Sequence, residues 1–570
     1  MNRSLFVIIC APILLMLGCQ PAQPIPVARS AEPTPPGDSI SGIVLDEANL
    51  PIAGAVVRVK ATEKYVISDE NGRFTLSDMQ FEETALLTAW AKGYYIGGGK
   101  DKITADSAGV EIILKKFAAN DNPDYRWLSA FSAEKKDGNC QNCHFDPVDK
   151  NSPLPFTEWR ADAHSSSTQN IRFLTMYLGQ DIHGNQSPQR EYGVDRDYGR
   201  IPLRPDLTQP YYGPGYKLDF PETAGSCAAC HAPAAAVNAA YETDPTKVTG
   251  AGAEGVACDF CHKVWDVRLD SSTGLPPPNM PGVLSFEFRR PHEGHQFFAG
   301  PLDDVAPGED TYTPIQQQSQ FCAPCHFGSF WNTQIYNSFG EWLESPYSSA
   351  ETGKTCQACH MPPGKNDHFV RLDKGGVIRD PQSIFSHLMP GASDTELLQN
   401  AVTMTANTKL ESDRLIVEVK IANDKTGHHI PTDSPLRQMI LLVSVTDENG
   451  QPLSLLKGGT IPAWGGVGDP NLGCYADLPG KGFAKILSEL WTEMEPTGSY
   501  WNPTRITSDN RIAAFESDTS TYIFAAQANG KISIKITLLF RRAFKELMDQ
   551  KGWDVPDIIM EEEVLTVSSE

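Results

Sequence analysis

Cys140-Gln141-Asn142-Cys143-His144, Cys227-Ala228-Ala229-Cys230-His231, Cys258-Asp259-Phe260-Cys261-His262, Cys322-Ala323-Pro324-Cys325-His326 and Cys356-Gln357-Ala358-Cys359-His360 all spell Cys-x-x-Cys-His. Two thiols at this spacing can each form a thioether to a haem vinyl, and the adjacent imidazole then falls beneath the iron as proximal ligand. Zinc sites and redox dithiols also use Cys-x-x-Cys, but neither needs a His directly after the second Cys. All five pairs carry it. The pattern predicts five covalently bound haem c, attached through those ten cysteines and ligated by His144, His231, His262, His326 and His360.

The chain has 570 residues, too many for one ordinary core, so two to four domains are expected. Acidic residues outnumber basic ones, 71 to 48, for a net charge of −23. That balance disfavours nucleic acid as a partner and suits redox partner proteins of basic or neutral surface. Of 13 Cys, only Cys10, Cys19 and Cys474 lie outside the motifs, so no disulfide framework is expected. Cys474 reads as a buried or bystander thiol.

Upstream of the motifs, residues 1–18 carry Arg3, an apolar run from Leu5 to Leu17, and Gly18. The run is short for a membrane span and reads as a secretory signal. Met16-Leu17-Gly18-Cys19 resembles a bacterial lipobox, which implies lipidation of Cys19 at the mature N-terminus; cleavage further on is the alternative. Residues 19–38 are rich in proline and read as an extended tether. From 39 to 116, short alternating runs separated by turn signals at Asp46–Pro51, Asp69–Gly72 and Lys92–Gly93 predict a small β-sandwich. Ser41-Gly42-Ile43-Val44, Pro51-Ile52-Ala53-Gly54-Ala55-Val56-Val57 and Asp69-Glu70-Asn71-Gly72-Arg73-Phe74 resemble a carboxypeptidase regulatory-like domain. The resemblance implies a spacer or contact module, with a plain structural sandwich as the alternative.

Residues 117–393 hold the motifs and are rich in Pro, Gly, Asn and Tyr, which predicts a mainly α and irregular domain of short helices and loops around cofactors. It contains a repeat: Phe156-Thr157-Glu158-Trp159 through Ser165 aligns with Phe339-Gly340-Glu341-Trp342 through Ser348, with His164 corresponding to Tyr347. Both copies read as short helices packing a Trp against a haem, the second without an iron ligand. Beyond Asp394, the alternation of Leu415, Val417, Val419 and Ile421, the run Met439–Val445 and the segments 522–525 and 531–540 predict a second β-sandwich over 394–570. A helix is expected over Arg541–Lys551, and 457–520 reads as a long excursion.

Eight His remain beyond the proximal five: His164, His183, His292, His295, His368, His387, His428 and His429. What fills the sixth iron position separates electron transfer from catalysis. The strings Gly255-Val256-Ala257-Cys258, Glu341-Trp342, His360-Met361-Pro362, Ser386-His387-Leu388-Met389-Pro390-Gly391 and Thr426-Gly427-His428-His429-Ile430-Pro431-Thr432 resemble multihaem c-type cytochromes, and are similar to the group containing the tetrahaem cytochrome c of nitrifying bacteria. The resemblance implies bis-His ligation of most haems, with His164, His387 and His428 first and His295 next as distal ligands, His292 being a substitute for His295. His183 and His368 are weaker matches. His429 would point away from His428 on a strand, and Met361 reads as a packing residue.

These readings lead to an exported, lipid-anchored pentahaem cytochrome at the outer membrane or cell surface, periplasmic or extracellular, which carries electrons and has no assigned catalytic residue. One alternative is an oxidoreductase acting on a nitrogen or sulfur oxyanion at a single five-coordinate haem. The resemblance implies against the pentahaem nitrite reductases, which replace one motif His by Lys, since all five motifs here end in His. Another alternative is a subunit of an extracellular cytochrome filament through self-assembly.

Overall fold

The computed structural model describes residues 39–77, 84–131, 139–148, 153–351, 353–364, 366–526 and 530–568. The expected signal, Cys19 and the tether lie outside them. No helix among the described residues is long and apolar enough to cross a membrane.

The first domain is a two-sheet sandwich. Arg73–Leu76, Ile40–Asp46 and Val110–Leu114 form one sheet, and Tyr65–Ile67, Val56–Val59, Thr84–Trp90 and Gly97–Thr104 the other. Period-two alternation places Val44, Val57, Val59, Phe74, Leu87 and Leu114 in its core. Gly72 adopts φ +71 in the turn before Arg73, where a Cβ would meet the Val44 carbonyl, so glycine is required there.

The middle of the chain has little regular structure of its own. Its longest α-helix is Ile171–Leu178, started by the Asn170 side chain, which accepts from the Arg172 and Phe173 backbone N–H groups, and stopped at Gly179 with φ 76. Every motif folds as a helical turn of four or five residues. Two-stranded ribbons fill the intervals, as in Val264–Val267 with Phe286–Phe288 and Gly328–Phe330 with Thr333–Tyr336. The domain is therefore short helices, 3-10 turns and ribbons, and "mainly α" overstates its helix.

The last domain is a second sandwich. Thr403–Leu410, Arg414–Ala422, Ser517–Ala525 and Leu455–Lys457 face a five-stranded sheet ordered Thr504–Asp509, Gly480–Glu489, Gln438–Thr446, Lys531–Arg541 and Ile558–Ser568. The segment expected as a long excursion thus supplies two strands of that sheet. Gly480–Glu489 is buried on both faces, with Lys485 donating to the Gln334 and Ile335 carbonyls, so it lacks the alternation that would reveal it. The expected helix begins later, at Lys545, and ends at Lys551.

Candidate functional site

A cavity of about 2640 Å³ runs through the middle domain, and every Cys and His of the five motifs lines it. A single small ligand occupies about 300–1,000 Å³, so this space is built for several large groups. Hydrophobic side chains that would otherwise form a core stand around it, Phe156, Trp159, Phe260, Phe286, Phe339 and Trp342 among them. From each motif's helical turn both thiols and the imidazole line this cavity.

The motifs touch one another through their sulfurs. The sulfurs of Cys140 and Cys258, of Cys230 and Cys325, and of Cys322 and Cys356 lie close enough to act on one another. The first motif therefore adjoins the third, the second adjoins the fourth, and the fourth adjoins the fifth. Cys261 is close enough to Cys322 to act on it electrostatically, which links the third to the fourth.

Distal candidates face proximal ones across the same space. The ring centres of His164 and His326 are 6.3 Å apart, and those of His360 and His428 are 6.4 Å apart. Two metal–imidazole bonds of about 2 Å, with the reach from each nitrogen to its ring centre, set imidazoles sharing one iron roughly 6 Å apart. His387 acts electrostatically on His262 and, less strongly, on His144. His429 lines the cavity too, but its Nδ1 lies 3.7 Å from Glu341. His428 and His429 sit in a loop, so strand alternation does not govern them. His183, His292, His295 and His368 are not in the lining. His295 is half exposed, with Nδ1 3.0 Å from Glu309 Oε1.

The rings are oriented from behind. Nδ1 of His144 faces the Phe369 carbonyl at 2.8 Å, that of His262 faces Ala299 at 2.7 Å, that of His360 faces Pro390 at 2.7 Å, and that of His428 faces His429 at 2.9 Å. A proton donated backwards from Nδ1 leaves the Nε2 lone pair free for a metal. At the other pair the partners are carboxylates: Asp162 lies 2.6 Å from His164 Nδ1, and Asp433 lies 3.7 Å from His326 Nδ1. Burial pushes His231 down to about 4; it does the same for His360, helped by His428, and for His387, helped by His262. These imidazoles are neutral, the form that binds a metal. Burial also lowers His326, but Asp433 outweighs it and raises the ring. Burial opposes ionisation of Asp433, yet the nearby His326 holds it well below the usual carboxylate range.

The residues present fit covalent haem: paired thiols, an imidazole facing the cavity beside each pair, and two further imidazoles at the separation one shared iron requires. Among the described residues no group of three or more His, Cys, Asp or Glu is arranged to hold a metal ion directly. Sequence reasoning missed Asp162 and Asp433, since a carboxylate near a His carries no spacing signature of its own. It also missed Lys60 of the first domain, which lines the cavity and donates to the Ala306 carbonyl.

Residues 39–109 match the carboxypeptidase regulatory-like domain family. No curated protein matches the chain. A penta-heme cytochrome c552 from Thermochromatium tepidum superposes with a TM-score of 0.50 at 17% identity, over 75% of this chain and 97% of that one. At that identity the likeness concerns the fold. A cohesin–X-dockerin complex from Acetivibrio cellulolyticus aligns at 21% identity over 14% of this chain and 59% of that one, with a TM-score of 0.13, too low to bear on either.

Proposed function

We propose that this chain is a pentahaem c-type cytochrome that carries electrons in or outside the bacterial cell envelope, anchored by lipid on Cys19 and serving redox partner proteins. The observation that carries the reading is the single cavity shared by all ten motif thiols and all five motif imidazoles. Bound haem would supply reversible one-electron chemistry at iron. The chain attaches it through the ten thiols and ligates it through His144, His231, His262, His326 and His360. His164 and His428, facing His326 and His360, would be the second imidazoles for those haems, and His387 would serve the haem of His262. His295, half exposed beside Glu309, is the remaining distal candidate.

The closeness of the motifs to one another supports a carrier, because haems attached at adjoining motifs would pass electrons without a diffusing substrate. The run of contacts is first, third, fourth and fifth motif, with the second branching from the fourth. Denatured protein should retain five haems by mass, and replacing both Cys of one motif should remove one. Zinc without covalent haem would end the reading. Cys19→Ser should move the protein from the membrane to the soluble fraction; a free amine downstream of Cys19 in the wild type would refute the anchor.

A further inference from the structure

Arg172, Arg437 and Arg542 line one stretch of the cavity wall and come close enough to repel one another. Arg172 and Arg542 have no side-chain hydrogen bond or ion pair among the described residues, and the Nε of Arg542 is buried without a partner. Arg437 has the Thr432 carbonyl at 3.1 Å and, more distantly, Asp433 at 3.9 Å. Burial, then Arg172 and Arg437, push Arg542 down to about 10. It still carries its charge at neutral pH. Three guanidiniums gathered in a partly buried wall with one remote carboxylate are an uncompensated cost, unless an anion occupies the space between them.

The cluster lies between the second and fourth motifs. Phe173, next to Arg172, stacks flat on His231 with ring centres 3.9 Å apart, and Asp433, beside Arg437, backs His326. His164 acts on His231 electrostatically, but its ring is paired with that of His326, so His231, like His144, is left without a distal imidazole of its own. Around Cys227 stand hydroxyls instead, those of Tyr336 and Tyr500, which bond to each other.

We infer that Arg172, Arg437 and Arg542 form an anion site beside the second motif that takes a carboxylate or a small oxyanion through charge-assisted hydrogen bonds. This rests on the haem reading for its surroundings but not for its charge. Two sources share that chemistry: a propionate of a haem that would be held at the second or fourth motif, and a free oxyanion such as nitrite or sulfite entering the cavity beside His231.

The test uses the haem-loaded full chain with Arg172→Gln, Arg542→Gln and Arg542→Lys, after haem content is confirmed at five in each. For a free oxyanion, nitrite or sulfite changes the absorption and EPR spectra saturably. The apparent affinity then falls about tenfold or more in the Gln variants and partly recovers in the Lys variant. For a propionate, added anions leave the spectra unchanged, while the Gln variants lower the midpoint potential of one haem and the Lys variant keeps it near wild type. Unchanged potentials together with an anion response that is absent, or equal in all variants, overturn the site. A chain purified without covalent haem would sink the cytochrome reading alone. Nitrite and sulfite calorimetry on that chain would then decide the arginine site, with no heat of binding overturning it.

Discussion

Asp162 and Asp433 distinguish one facing pair of imidazoles from the other at the level of single side chains. Both imidazoles of the His164–His326 pair are backed by carboxylates, whereas both of the His360–His428 pair are backed by backbone carbonyls. A carboxylate behind Nδ1 makes the ring a stronger donor and favours the ferric state, which lowers the potential. The haem of the fourth motif should therefore titrate below that of the fifth. Asp433→Asn and Asp162→Asn should each raise the lower potential in spectroelectrochemistry and leave the fifth motif's haem in place; a shift at the fifth haem instead would refute the pairing. Arg437, 3.9 Å from Asp433, offsets part of the effect, so Asp162, with the shorter contact, should give the larger shift.

At the level of elements the repeat seen in the sequence is a repeat of hydrogen bonds. Trp159 donates its indole N–H to the Val256 carbonyl, and Trp342 donates to that of Lys354, in each case two residues before a motif's first Cys. Val256 N–H donates to the His164 carbonyl, and Lys354 N–H to that of Tyr347. Glu158 accepts from the His387 backbone N–H, and Glu341 from that of His429. Each unit thus clamps the approach to one motif and the loop that brings a distal His. By this equivalence the backbone of His387 corresponds to that of His429, the neighbour of His428. Tyr347 packs edge-on against Phe515, with ring centres 4.9 Å apart, which suits a packing residue. Trp159→Phe and Trp342→Phe should each cost about 0.5–1.5 kcal/mol in denaturant unfolding, the worth of one ordinary hydrogen bond. His164→Ala should turn one haem high-spin in EPR while Tyr347→Phe leaves the spectrum unchanged. The reverse would show that the second copy carries a ligand.

Across the whole molecule the two sandwiches serve as walls. The first domain holds the segment 303–312 through Arg58 on Asp303, at 2.7 and 3.1 Å, the Ala61 N–H on Asp304, Trp90 on Thr311 and the Ile96 N–H on the Asp310 carbonyl. That makes it a contact module. Arg58→Ala should cost about 1.5–3 kcal/mol of stability, because it strands a half-buried carboxylate, and should open 303–312 to limited proteolysis; unchanged cleavage would show that the domain merely tethers. The last domain also packs on the middle one, where Lys551 is buried against the carbonyls of Thr175, Gln180 and Pro214, and Trp501 and Asn502 hold Asp219.

The sequence alone determined the motifs, the two sandwiches and the repeat, because thioether spacing, period-two alternation and local turn chemistry are short-range properties written in consecutive residues. It also named His164, His387 and His428, which the fold brings to the cavity. Only the tertiary structure decided which motif adjoins which, which imidazole backs onto carboxylate or carbonyl, and where the three arginines meet. It alone revealed the doubly buried strand Gly480–Glu489 and set His295 outside the cavity lining. Those relations join residues hundreds of positions apart, such as Arg172 with Arg542, and depend on how sheets and loops pack around a space that side chains leave open. No local pattern encodes that space.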